Sequence, residues 1–269
     1  MIRSLTSKDF GEKNVNPDSA TDPFLGITPD RLETHFHWRF MSLANALFNL
    51  RHSEGFAILQ ARLEESSLRS VFFEAQAASV MTQAGFQVSF HEETGSRGQD
   101  FDFVAKKGVD QFNCEVTAFS TPDFKPETVR NTLNRKRQQL PMDAPALIFC
   151  TLAEGWVGEK VAPVEQLEQL AADFLARTGR INAVIFLWDA FAVFPSRGWT
   201  YALMQRSVSA ANPRHAADIR FLPNESADAE KVRSFVLGFG PPPPTNMDYL
   251  SFARSIEIDD AEEDERSGQ

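Results

Sequence analysis

The chain has 269 residues, 42% of them hydrophobic with 24 Phe, and a formal net charge of −10. A chain of this length buries a sizeable core. With neither a signal-type apolar stretch at Met1 nor a run of membrane-spanning length, the expectation is a soluble, cytoplasmic protein with no membrane partner. Cys114 and Cys150 sit in apolar runs without metal-ligand spacing, which predicts reduced core residues. The charge is uneven: residues 257–269 hold seven acids against one base, a tail too polar to fold. Residues 125–137 hold five bases against Glu127, a patch suited to phosphate contact and equally to a solvated helix face.

Residues 1–29 lack periodicity and read as a flexible lead-in. Over 30–63 a helical extension is expected, because Leu32, Phe36, Phe40, Leu43 and Leu47 recur at three- and four-residue steps. A second helix is expected from about 65 to 84, with Glu74 in its middle and Gly85 as its C-terminal cap. Residues 86–91 alternate like a strand, 92–97 form a loop, and a hairpin follows over 100–119. Pro126 and Pro141 then bracket a helix over 127–140. The apolar runs 146–150 and 183–188 suit strands buried on both faces, separated by a helical pattern over 163–178; this alternation implies parallel crossovers. Residues 199–240 read as an edge strand or hairpin followed by a closing helix. Pro241 to Pro244 then lead from the main domain, 64–240, into the disordered acidic tail, 241–269.

The hairpin carries the chemistry. Asp100 and Asp102, two apart on an expected 98–103 strand, leave on one face while Phe101 and Phe103 leave on the other. On the second strand Glu115 and Thr117 share a face opposite Cys114, Val116 and Ala118. A turn centred on Lys107-Gly108 places Glu115 opposite Asp100, and one centred on Gly108-Val109 places it opposite Asp102. Carboxylates that close repel unless neutralised. Oxygen ligands of this kind favour Mg²⁺, Mn²⁺ or Ca²⁺ over zinc.

The order helix, strand, hairpin, helix, strand, with acids on the first helix and on the hairpin, resembles the PD-(D/E)xK nuclease superfamily over about residues 64–152. The resemblance implies an α/β fold with a restriction-endonuclease-like αβββαβ core, a mixed central sheet and a helical N-terminal extension. By position it assigns Glu74 as the helical acid, Asp102 (or Asp100) as the strand aspartate and Glu115 as the first residue of Glu-x-Lys. Gln139 or Gln138 takes the place of the polar residue on the following helix. The resemblance further implies Mg²⁺ or Mn²⁺ held by Asp102, Glu115 and the Val116 carbonyl, with Glu74 acting through a second metal or an ordered water. Arg130, Arg135 and Lys136 would hold the substrate backbone, and the product would be a hydrolysed phosphodiester in DNA. One position departs from the pattern: the family lysine falls on Thr117, which supplies no positive charge. Arg130, Arg135 and Lys136 are the replacements within reach, while Lys106 and Lys107 lie at the far end of the hairpin.

Each acid also has a structural explanation. Glu74 suits an exposed helix position, and Asp100 and Asp102 suit a solvated edge with Arg97 as partner. Glu115, among Cys114, Val116, Ala118 and Phe119, needs a ligand or a partner, because an unpaired buried carboxylate is strongly unfavourable. His35 and His37, two apart on a helix, cannot share a face, and Trp156, Trp188 and Trp199 read as packing residues. Two functions therefore follow: a metal-dependent nuclease, or a catalytically silent domain of that fold that binds nucleic acid, a protein partner or a second copy of itself.

Overall fold

A computed structural model describes residues 33–65, 68–92, 94–119, 121, 123–153, 156, 164–194, 198–219 and 235–240. In chain order these form helices α1 (Glu33–Leu50), α2 (Phe56–Glu65) and α3 (Leu68–Gln83), then strands β1 (Gln87–Phe90), β2 (Phe103–Lys107) and β3 (Asp110–Ala118). Helix α4 (Pro126–Gln139), strand β4 (Ala146–Thr151), helix α5 (Val164–Leu175) and strands β5 (Ala183–Phe194), β6 (Gly198–Ser209) and β7 (Phe235–Gly240) follow. The strands make one mixed sheet in sequence order. β1, β2 and β3 pair antiparallel, β3, β4 and β5 pair parallel, and β5, β6 and β7 return to antiparallel. The two parallel steps are the ones carrying α4 and α5 as crossovers, as the alternation of apolar runs predicts.

Alternation along the strands separates two cores. In β4, Leu147 and Phe149 join the cluster built on α1, α2 and α3, while Ala146, Ile148 and Cys150 join the one built on α4 and α5. Both faces of the central strands are thus covered, which explains their continuous apolar runs. In β3, Phe112 and Cys114 belong to the α3 side, so Asn113, Glu115 and Thr117 belong to the α4 side. Both cysteines are buried free thiols whose pKa burial pushes up, consistent with packing rather than reactivity.

The single helical extension expected over 30–63 is instead two helices, and they belong to the main core. Leu43, Leu47, Leu50, Leu59 and Leu63 are buried with α3 in one cluster. The break lies at Gly55, whose φ of +71° suits glycine. A side chain there would place a Cβ 2.4 Å from the Phe90 carbonyl oxygen. That close approach lets Phe90 N–H donate to the Glu54 carbonyl at 2.9 Å, stitching the turn to β1. α3 ends as expected: Gly85 has φ +87°, its N–H donates to the Thr82 carbonyl, and Phe86 N–H reaches back to Met81.

The β2–β3 hairpin turns on Gly108-Val109, with Lys107 opposite Asp110 and Phe103 opposite Cys114. Gly108 takes φ +61°. Of the two registers open to the sequence, this is the one that aligns Asp102 with Glu115. The first strand, however, begins at Phe103, not at 98. Gly98 has φ +83°, and residues 98–101 leave the ladder, so Phe101 packs on the α4 side while Phe103 packs on the α3 side. Towards the C-terminus, residues 235–240 form a strand where part of a closing helix was expected. The remainder of that helix, the 1–29 lead-in, the acidic tail and the side chains of His35, His37 and Trp199 lie outside the described residues. Among the described residues no helix is long and apolar enough to cross a membrane.

Candidate functional site

Glu115 stands in the middle of β3 and is only 1% exposed. The α4 face it shares with Thr117 is covered by α4, whose buried residues Val129 and Leu133 are one turn apart. Adding three to Leu133, or seven to Val129, reaches Lys136, so the ammonium comes in on the same inward stripe. Lys136 Nζ pairs with Glu115 Oε1. The other carboxylate oxygen, Oε2, is buried and receives no hydrogen bond among the described residues. Burial first, then the neighbouring Asp102 carboxylate, holds the Glu115 carboxyl well above its ordinary value; the Lys136 ammonium opposes this, and Glu74 adds to it.

Asp102 lies one residue before β2, where its N–H still donates to the Cys114 carbonyl at 3.0 Å. This extends the ladder by one step and sets Asp102 beside Glu115. Its Oδ2 accepts the Val116 N–H at 2.6 Å, and Oδ1 stands 3.7 Å from Arg62 Nη1. Arg62, near the end of α2, also pairs with Glu74 Oε1 and donates to the His91 carbonyl. Glu74, buried on α3, is thus held by a guanidinium instead of facing an open site or solvent.

The residues expected from the sequence therefore separate. Asp102, Glu115, Glu74 and Lys136 come together, and Thr117 is buried on the same strand face as Glu115. Asp100 does not join them. Its Oδ1 accepts the Thr94 N–H at 2.7 Å and the Thr94 hydroxyl at 3.0 Å. Burial pushes that carboxyl up, but the hydrogen bonds from Thr94 and from the Gly95 and Ser96 amides outweigh it and hold the pKa below its ordinary value. Arg97 is not its partner. Gln139 donates to the Asp100 carbonyl at 3.2 Å, so it braces the loop bearing Asp102. Arg130 pairs on the surface with Glu127 at 3.5 Å, and Arg135 is exposed. Lys107 donates to the Ala84 carbonyl at 2.7 Å, away from the acids. Trp156 is core, stacked on Phe119.

Arg62 is the residue that sequence reading missed. It comes from the segment expected as an extension, and nothing in its local pattern signals a partner twelve residues on. Lys136, by contrast, could be singled out from Arg130 and Arg135 by stepping from Val129 and Leu133 on a helical wheel.

Among the described residues no group of three His, Cys, Asp or Glu side chains is arranged to hold a metal ion. Two carboxylates do lie side by side, one with a buried oxygen that accepts no hydrogen bond. That set fits Mg²⁺ of the kind bound by one or two carboxylates and completed by waters and a substrate phosphate. It does not fit an all-protein cage, and Glu74 and Asp100 are not further direct ligands. Comparison with protein-family models, with curated proteins and with solved structures finds no match.

Proposed function

We propose that the chain is a metal-dependent nuclease of the restriction-endonuclease-like αβββαβ type, hydrolysing phosphodiester bonds in DNA. The observation that carries this reading is the ion pair of Lys136 with Glu115. It puts a cation where a Glu-x-Lys strand would, although the strand itself supplies Thr117. The element order from α3 to β4 and the alignment of Asp102 with Glu115 support the same reading.

In this reading Asp102 and Glu115 hold Mg²⁺ or Mn²⁺, which when bound polarises the scissile phosphate and lowers the pKa of a water. Val116 contributes by fixing Asp102 through its N–H. Lys136, seated on Glu115, offers its remaining protons to a phosphate oxygen and offsets the charge that develops there. Arg62 pairs with Glu74 and stands near Asp102, which reduces the repulsion among the carboxylates before a metal arrives.

A second reading has its own observation. Arg62 already bridges Glu74 and Asp102, an arrangement suited to a nuclease-like domain that has lost catalysis and binds nucleic acid, a protein partner or a second copy. Incubating the full chain with plasmid, linear and single-stranded DNA plus Mg²⁺ or Mn²⁺ separates the two. The nuclease reading expects cleavage that is lost in Asp102→Ala and in Glu115→Ala; cleavage that persists in both overturns the assigned site. No cleavage of any substrate by folded protein leaves the binding domain.

A further inference from the structure

Beyond the end of α4 lies a cavity of about 320 Å³ walled by Arg97, Arg137, Arg177, Arg180 and Arg214. The five guanidinium groups come from four separate places: the 94–99 loop, the last turn of α4, the segment after α5 and the segment after β6. No carboxylate forms an ion pair with any of them among the described residues. The walls are braced against this repulsion. Arg180 donates to the Arg137 carbonyl, Arg214 N–H donates to the Gly179 carbonyl at 2.5 Å, and Asn182 fixes the His215 carbonyl at 2.8 Å. Burial first, then Arg137, Arg97 and Arg214, lowers the pKa of Arg180. Arg97, Arg177 and Arg214 are exposed, so water screens part of this repulsion, and a bound anion would neutralise more of it.

We infer that this arginine cavity is a phosphate site that takes the backbone of a nucleic-acid strand running past the acid cluster. Two observations favour a polyanion over a lone phosphate ion. Five positive charges exceed the charge of about −2 that one phosphate monoester supplies at neutral pH. Arg137 also directly follows Lys136 on α4, about 1.5 Å further along the axis and about 100° round it, so a strand crossing the helix at this point would pass from one side chain to the other. Bidentate guanidinium contacts suit phosphate oxygens without reading bases, so the site would position the strand and carry no sequence preference. The link to the acid cluster rests on the nuclease reading; the cavity's affinity for phosphate does not.

The test uses the full chain in EDTA, with fluorescein-labelled 20-mers, single- and double-stranded, followed by anisotropy over a salt series. Wild type is expected to bind with strong salt dependence. The double variant Arg177→Glu/Arg214→Glu should bind about tenfold more weakly, with a log–log salt slope smaller by about two. Lys106→Glu/Lys107→Glu, at the distant end of the hairpin, changes the net charge by the same amount and should bind as wild type. Arg177→Lys/Arg214→Lys, which preserves charge, should restore most of the affinity, and thermal melts of all variants report folding. Unchanged affinity in the folded Glu double variant overturns the proposal, as does inorganic phosphate that binds in the cavity without displacing the oligonucleotide. Adding Mg²⁺ distinguishes this failure from failure of the nuclease reading. Cleavage with unchanged binding in the double variant sinks the cavity and spares the nuclease; weakened binding without cleavage by wild type does the reverse.

Discussion

The acid cluster and the arginine cavity each draw one residue from the end of α4, Lys136 and Arg137, and solve the problem of charge in opposite ways. Around Glu115 most of the charge is offset internally: Lys136 answers Glu115, and Arg62 is shared between Glu74 and Asp102. Five arginines line the cavity, with backbone braces at Arg180 and Arg214 and, among the described residues, no carboxylate ion-paired to them. A cluster offset in this way holds its carboxylates in place through its own cations. An uncompensated one is tolerated because water screens its exposed members, and it becomes favourable when an anion arrives.

This contrast can be broken by mutation. Arg62→Ala should have the largest effect on stability. It leaves buried Glu74 without its guanidinium, and breaking a buried pair from one side costs about 3 kcal/mol or more, readable as a lower urea midpoint at unchanged m-value. Restoring a neutral partner through Glu74→Gln in the same chain should recover much of the loss, because the uncompensated charge is then gone. If Arg62→Ala melts like wild type, the bridge is ornamental and the compensation argument fails.

A pH series sharpens the same point. Glu115 has its folded pKa raised well above the ordinary 4.5 by burial and by Asp102. Its contribution to stability is therefore fully present below the ordinary carboxylate value and is lost as pH rises through the raised one. Urea midpoints measured in EDTA should decline on that side, and Glu115→Gln should flatten the decline. Affinity for Mg²⁺ should move the other way, rising with pH, because the ion needs the ionised carboxylate and its binding releases a proton. A Mg²⁺ affinity that does not change with pH anywhere above the ordinary carboxylate value would contradict the assignment of Glu115 as a ligand.

The smallest effect has the opposite sign. Arg177→Ala removes one of five like charges from the cavity and should leave stability within about 0.5 kcal/mol of wild type, on the stabilising side, in thermal melts. A clear destabilisation would mean that the arginine is held by contacts the protein needs for folding.

How legible these two regions were in the sequence differs for physical reasons. The hairpin could be read because strand parity and a glycine turn are local properties, but Gly108 belongs to both candidate turns, and the pairing of Lys107 with Asp110 is what selects the register that sets Asp102 beside Glu115. Parity misled at Asp100 because it holds only inside a strand. Gly98 and the Thr94 contacts take residues 98–101 out of the ladder. The element sequence from α3 to β5 was likewise readable from apolar periodicity, whereas the break at Gly55 depends on how closely Phe90 approaches. Arg62 and the five arginines were not readable. Their neighbours come from distant positions, such as Arg97 and Arg214, which only the assembled sheet and its crossovers bring to one cavity.

The central claim is that Lys136, delivered by α4, does for the Asp102–Glu115 pair what a lysine at 117 would do. The most direct measurement is the rate of DNA cleavage at saturating Mg²⁺ by wild type, Lys136→Ala and Lys136→Ala/Thr117→Lys. The account predicts a fall of about 100-fold in Lys136→Ala and partial recovery when the lysine is returned to the strand. A folded Lys136→Ala protein that cleaves at the wild-type rate would contradict it.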